Sequence, residues 1–467
     1  MHAASYVTIA DFHILYGRGW ATARVDAQSS TVTFDTAESP GQHDALAWHE
    51  QVREQSNRGV DLAMKMKPSE VKRGRQLFRE VKHQLVDGHI RLAKLSNDLV
   101  ERIREIDPFL KSLELLPLPS TTDMLGFTMG DFLSFLETVT VWSQTAFMRF
   151  CDCVAQGVPL HECMPTQIVA RDEFVHQVAA LSHLPATSVQ TILDRLTFHP
   201  ARKADILLTP FLLGEDSVCW SPVGIMKYAH QRNLLKVMSR GTKDLREHAA
   251  TINGRRDRIL GQLIGKKFAT RGFQFNLDTP IAANTERTDI DVLLYQTARP
   301  DEVLVVEAKA LIAPDEINEV YDATQTLVYA QEQVRRAVRI LREMPVVEKR
   351  QKFKFVDWDK ATKFYGVVIT TDAEAHWTID QQEVPVLTYN SLRWRFRPRD
   401  FRCPSRFWAA CVQRPWQDGE MRVEKDVHAD FRVGHLIYRL PAGVVDSSVS
   451  KLETEKVGQL VARHRGA

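Results

Sequence analysis

Two apolar runs, TDIDVLLYQ and EVLVVEAKA, joined by the turn-forming ARPD, constrain this chain more than any other feature. Runs so rich in β formers and so closely joined predict an antiparallel hairpin. The second run ends in two charged residues, Glu307 and Lys309, set among apolar neighbours. In a strand, side chains at i and i+2 share a face, so Glu307 and Lys309 project together while Val306 and Ala308 turn into packing. If an odd number of residues closes the hairpin, Asp291 stands opposite Glu307, and two carboxylates meet one ammonium. Charged groups flanked by buried apolar ones are costly unless paired or metal-bound, which marks these three as a candidate site.

The chain carries its own controls. Glu70-Val71-Lys72 and Glu80-Val81-Lys82 repeat the E-x-K triplet in a region of charged, helical periodicity. On a helix, i and i+2 diverge by about 200° and cannot converge on one ion. Around the 307 copy the order reads α-β-β-α-β. NGRRDRILGQLIGKKFATRG has Ile259, Leu260, Leu263, Ile264 and Phe268 at helical spacing, with Gly272 as its stop. Asp315 to Met344 reads as a long helix, KFYGVVITTD as a buried strand, and EVPVLTYNSLRWRF as further strand. GQLIGKK is one residue short of a phosphate loop and has Lys267 where a Ser or Thr would hold Mg²⁺, so it is set aside.

T-D-I-D-V-L-L-Y, then L-V-V-E-A-K-A, then a long helix and another strand, resembles the PD-(D/E)xK nuclease superfamily over about a third of the chain. Gln325 to Tyr329 on the following helix is similar to the Q-x-x-x-Y motif of RecB-like members, and Tyr321 shares that helical face by i+4 spacing. The resemblance implies a restriction-endonuclease-like domain that hydrolyses phosphodiester bonds with Mg²⁺ or Mn²⁺. It makes Asp291 and Glu307 metal ligands, the carbonyl of Ala308 a further ligand and Lys309 the water-orienting base. Gln325 and Tyr329 would support the site. Asp289 has the same strand parity as Asp291 and is the rival first ligand. Members often carry a Glu on the first helix; here Asp257 and Gln262 are the candidates.

The implied partner is nucleic acid, DNA first. Arg255, Arg256, Arg258, Lys266, Lys267 and Arg271 crowd the first helix of this region, where they could track a phosphate backbone. Arg335, Arg336, Arg339 and Arg342 crowd the later helix, where phosphate binding competes with simple pairing to the helix dipole. Net charge is only +2, so a nucleic-acid surface must come from such local clusters.

A chain of 467 residues exceeds one ordinary core, and 44% hydrophobic with 26% charged residues is globular composition. The expected class is α+β or α/β and multidomain. It comprises a small β-rich segment at 1–50, a helical recognition or dimerisation region at 51–250, the nuclease-like α/β domain with a mixed central sheet at 251–445, and a polar tail at 446–467. In the second of these, LFREVKHQLVDGHIRLAKLSNDLVERIREI reads as long amphipathic helix, and Ser182 to Leu193 as a helical hairpin or a helix-turn-helix. Cys151, Cys153, His161 and Cys163 are a zinc-type donor set in non-zinc spacing, best read as buried thiols on an apolar helix. No run reaches the roughly 18 apolar residues of a membrane span, and dilute cysteines suit a reducing compartment, so the expected location is cytoplasmic. A nuclease without helicase motifs would suit restriction or anti-phage defence. The rival readings are a non-catalytic nucleic-acid-binding protein that keeps the fold, and a regulator using the helix-turn-helix.

Overall fold

The computed structural model describes residues 21–36, 76–106, 118–199, 208–226, 230–312, 317–371, 383–394, 396–413, 423–424, 428–433, 436–441 and 444–445. SYVTIADFHILYG and the tail from 446 lie outside the described residues. The chain divides into two units, Met1–Gln55 with Asn253–Thr454 and Ser56–Ile252 with Glu455–Ala467. The whole is α+β, and no described helix is long and apolar enough to cross a membrane. The first described elements form a hairpin, β1 (Ala21–Asp26) with β2 (Thr31–Thr36).

In the unit containing residues 76–252, the run expected to be continuous helix is interrupted by a second hairpin, β3 (His83–Val86) with β4 (His89–Leu92). Asp87 (φ +50°) and Gly88 (φ +77°) are both left-handed, as a two-residue type I′ turn requires. The alternating HQLV and HIRL around Asp-Gly is a period-2 signal that overrides the helical one, and helix resumes only in α1 (Asn97–Ile106). The long α2 (Met129–Ala155) starts at a Thr128–Asp131 capping box and is buried on most sides. It packs with α3 (Arg171–Ser182) and α4 (Ala186–Arg195), and its Trp142 and Phe135 reach β5 (Gln167–Ala170), β6 (Phe211–Leu213) and β7 (Ser217–Trp220) through Gln167, Phe211 and Trp220.

Trp142, Phe174, Phe211 and Trp220 form the aromatic centre of this unit. The indole N–H groups of Trp142 and Trp220 donate to Gln167 and Ser143 at 3.3 and 3.1 Å, so neither polar atom is stranded. Cys153 and Cys163 pack with Ile90, whereas Cys151 and His161 are exposed, so the four do not gather round a cation. In the α3–α4 pair, Asp194 is tied to Arg171 at 3.0 Å and to Gln190 at 2.7 Å.

The other unit is built on α5 (Lys243–Ala269), inside which the division between units falls. Next come β8 (Gln274–Ala283), β9 (Glu286–Tyr295), β10 (Glu302–Lys309), α6 (Ile317–Glu343), α7 (Val346–Lys352), β11 (Lys363–Thr370), β12 (Val386–Thr388), α8 (Tyr389–Trp394) and α9 (Pro404–Gln413). One five-stranded sheet runs in the order β12-β11-β10-β9-β8. The β8–β9–β10 part is antiparallel; β11 lies parallel to β10 and to β12, so the sheet is mixed.

Two elements differ from the expected order. β8 precedes the anticipated hairpin; its Pro280 and polar composition argue against a central strand, and it lies at the sheet edge, where a missing N–H is tolerated. EVPVLTYNSLRWRF is strand only over Val386–Thr388; the Thr388 hydroxyl then accepts the Ser391 N–H at 3.0 Å and starts α8. A separate four-stranded sheet has the order β1-β2-β14-β13, formed with β13 (His428–Val433) and β14 (Leu436–Pro441). The first two described strands thus share a sheet with two strands from the other end of the chain, joined by parallel pairing of β2 with β14.

α6 covers one face of the five-stranded sheet. Its Ala337, Ile340 and Leu341 pack with Leu293, Val303 and Val305, and its Leu327 and Val334 with Val368 and Val386. α5 reaches the sheet through the glycines of the discarded phosphate-loop look-alike. A Cβ on Gly265 would lie 2.5 Å from the Phe275 ring, and one on Gly261 3.4 Å from Val292. Gly265→Val therefore lowers stability by about 1–3 kcal/mol through overpacking. Gly254→Ala on the same helix, where the space is open, stabilises by up to about 1 kcal/mol. Urea unfolding midpoints of the two variants check the contrast.

Candidate active site

The hairpin closes as the site requires. Tyr295 pairs with Val303, leaving residues 296–302, an odd number, in the connection. Pairing runs on to Val306 with Val292, so the next positions along that register are Glu307 and Asp291. Asp291 Oδ2 accepts the Ala308 N–H at 2.8 Å, bridging the two strands by side chain where the ladder ends. Lys309 Nζ lies 2.7 Å from Glu307 Oε1, as their shared strand face predicts.

α5 supports the far end of β10. Asp257 Oδ1 accepts the Ala310 N–H at 2.6 Å, and Arg256 Nη1 donates to the Ala310 carbonyl at 2.9 Å. Adjacent residues of one helix thus grip both polar groups of the residue after Lys309. On the other side, β8 and β9 pair Leu277 with Val292 and Thr279 with Ile290, passing over Asp278 and Asp291. Asp278 sits at φ +47°, a left-handed conformation Asp tolerates better than most residues, and its carboxylate meets Arg258 at 2.8 Å.

The electrostatics follow from this crowding. Burial pushes the Asp291 carboxyl up to about 6, against the Ala308 N–H and Lys309, which favour its ionised form; Asp257 and Asp278 add to the rise. Burial also raises Glu307, and the neighbouring Asp291 raises it further. Burial raises Asp257 too, opposed by the Ala310 N–H. Burial alone would lower Lys309, but the Glu307 carboxylate against it more than compensates and holds it protonated. Desolvated carboxylates facing one ammonium make a centre short of positive charge.

The donors suit a hard cation. Asp291 and Glu307 offer carboxylate oxygens with the Ala308 main chain between them, and oxygen is what Mg²⁺ and Mn²⁺ take. Among the described residues, no three His, Cys, Asp or Glu side chains converge as a ready cage. A cation here would complete its shell from a backbone carbonyl, water and substrate, which is the habit of Mg²⁺.

The remaining residues singled out in the sequence separate clearly. Asp289 is exposed, pairs with Pro280 in the ladder and faces a groove instead of the Glu307–Lys309 pair. Gln325 is exposed, and Tyr329 is 57% exposed on the wall of that groove, so neither is bonded to the centre among the described residues. Gln262 is exposed on α5. The side chain of Tyr321 lies outside the described residues.

The basic cluster of α5 is not one surface. Arg256 is buried on Ala310 and Arg258 is paired with Asp278, so both are committed to the fold. Lys267 is half-buried, and burial lowers its pKa, as do Arg271 and Arg393. Arg255 and Lys266 remain exposed. Of the two control triplets, Glu70 to Lys72 lies outside the described residues, and Glu80 pairs with Arg102 at 3.3 Å.

Asp278 and the clamp on Ala310 escaped the sequence reading. The adjacent Arg256-Asp257 was visible as composition but not as a bridge to β10, and Asp278 sat in a strand disguised by its polar run. Arg256→Ala is expected to cost about 1–3 kcal/mol, since it leaves a buried carbonyl short of its donor. Arg255→Ala stays within about 0.5 kcal/mol of wild type, as exposed positions do. Chemical denaturation of both variants tests the distinction. No family model, no curated protein and no solved structure matches this chain.

Proposed function

We propose that this chain is a metal-dependent nuclease with a restriction-endonuclease-like core of the PD-(D/E)xK type, hydrolysing phosphodiester bonds of nucleic acid, DNA in the first instance. The observation that carries the reading is the convergence of three groups on neighbouring strands: Asp291 in register opposite Glu307, and Lys309 2.7 Å from Glu307. Element order supports it as well, with three antiparallel strands, a helix and a parallel strand enclosing the centre.

In this reading Asp291 and Glu307 hold the cation, and the carbonyl of Ala308 is available as a further ligand. Bound Mg²⁺ or Mn²⁺ would neutralise the scissile phosphate and favour deprotonation of a water. Lys309, kept protonated beside Glu307, orients the attacking oxygen or meets charge developing on the phosphate. The Arg256–Asp257 clamp fixes the strand end that carries Lys309.

The groove beside the centre, with a volume of about 740 Å³, offers a track for the substrate. Arg287, Arg336 and Lys352 supply positive charge, Tyr329 an exposed ring, and Gln333 a buried carboxamide oxygen without a donor. Cations beside an aromatic face suit a phosphate backbone and its bases. Its wall includes Asp289, two residues from Asp291 on the same strand.

One observation favours a second reading, a protein that grips nucleic acid without cutting it: Lys309 already occupies Glu307, and Ala308 already occupies one oxygen of Asp291. The two readings part in a plasmid assay. Wild-type protein with Mg²⁺ or Mn²⁺ is expected to cleave, EDTA to stop it, and Asp291→Ala, Glu307→Gln and Lys309→Ala to lose about 100-fold or more while still binding DNA. Tight binding with no cleavage by the wild type would establish the gripping protein instead. Arg336→Gln is expected to weaken binding and to reduce the salt dependence by about one counterion.

A further inference from the structure

The four arginines crowding α6 are divided by the fold. Arg336 faces the groove beside Tyr329, whereas Arg335, Arg339 and Arg342 line a separate pocket on another flank of the helix. That pocket has a volume of about 440 Å³, within the roughly 300–1,000 Å³ usual for small-ligand sites. Its walls carry Phe364 and Tyr365 of β11 and Trp408 of α9, and the last two rings lie 5.7 Å apart between centroids. It shares no lining residue with the groove or with the Asp291–Glu307–Lys309 centre.

We propose that this pocket is a second site, for a free nucleotide, in which a planar base lies against the Tyr365 and Trp408 rings and the phosphate is held by Arg342 and Arg335. Arginine is suited to the task because its planar fork meets two phosphate oxygens at once, and aromatic faces accept any base by stacking. The arginines are not equivalent. Arg339 is committed, meeting Glu286 through two contacts at 3.0 and 2.8 Å. Arg335, whose side chain is 22% exposed, is held by Glu332 and Glu383, which are 56% and 67% exposed; the two carboxylates can turn out to water and leave the guanidinium to a phosphate. Arg342 is exposed and has no carboxylate partner among the described residues.

A space of about 440 Å³ bounded by α6, β11 and α9 suits one nucleotide-sized ligand. Val334, Val338 and Val384 give the pocket an apolar floor, so affinity would come from ring contact as well as charge. The assignment does not depend on the nuclease reading, because it uses none of that centre's groups.

The test is a titration of the full-length protein with mant-ATP in EDTA, following mant emission sensitised by tryptophan, of which Trp408 lies in the pocket. Saturable binding below about 1 mM is expected, with competition by ATP, GTP, CTP or UTP. Arg342→Gln and Arg335→Gln should each weaken it about tenfold, and Glu307→Gln should leave it unchanged. Thermal unfolding of Arg342→Gln should match wild type, since that side chain is exposed, which separates lost binding from lost folding. Four results would each overturn the proposal: no saturation by 1 mM, wild-type affinity in both arginine variants, loss of binding in Glu307→Gln, or displacement by pyrophosphate as effective as by ATP. The last would leave an anion patch with no place for a base.

Discussion

The hydrogen bond from the Ala308 N–H to the Asp291 carboxylate is the constraint on which the site depends. It fixes the strand carrying Glu307 and Lys309 against the strand carrying Asp291 where the regular ladder stops. A register shift of one residue would turn Glu307 and Lys309 to the other face and send Val306 and Ala308 into their place. The apolar runs Val303–Val306 and Val292–Tyr295 are buried, so slippage is opposed by the loss of that burial. The charged centre is held by hydrophobic packing a few residues away from it.

The packing has its own requirements. α5 comes close to β8 and β9 because Gly261 and Gly265 leave no side chain in the way. That approach lets Arg256 and Asp257 reach Ala310. α6 closes the other face with Ala337, Ile340 and Leu341. The buried Glu302 at the start of β10 is likewise satisfied, by Arg299 at 2.7 Å and by Ser405 at 3.0 Å. Both ends of β10 are therefore anchored by buried polar groups with partners, which is what permits charged residues on so apolar a strand.

The arginine-rich stretches show how little local composition says about surface. In the sequence, Arg255, Arg256 and Arg258 form one basic run; in the fold, one is exposed, one is buried on a carbonyl and one is paired with Asp278. The cluster on α6 is shared between a groove near Asp291 and a pocket with three aromatic rings. Helical geometry sends neighbouring side chains to different flanks, and only the elements packed on each flank decide which guanidinium stays free.

Local periodicity made the hairpin, the helices on either side of it and the shared face of Glu307 and Lys309 legible in the sequence, because a period of two or of 3.6 residues is enforced by backbone geometry alone. It failed where two local signals competed: at Asp87-Gly88, where a turn broke a helical pattern, and at β8, whose proline and polar residues hid an edge strand. The preference for Asp291 over Asp289 rested on resemblance; the fold sets Asp291 on the Ala308 N–H and leaves Asp289 exposed in the groove. Partnerships between residues far apart in the chain were beyond the sequence: Asp257 with Ala310, Asp278 beside Asp291, Phe364 and Trp408 with the α6 arginines, β2 with β14. Such contacts depend on which faces of separate elements are buried together, and that is settled only when the whole core forms.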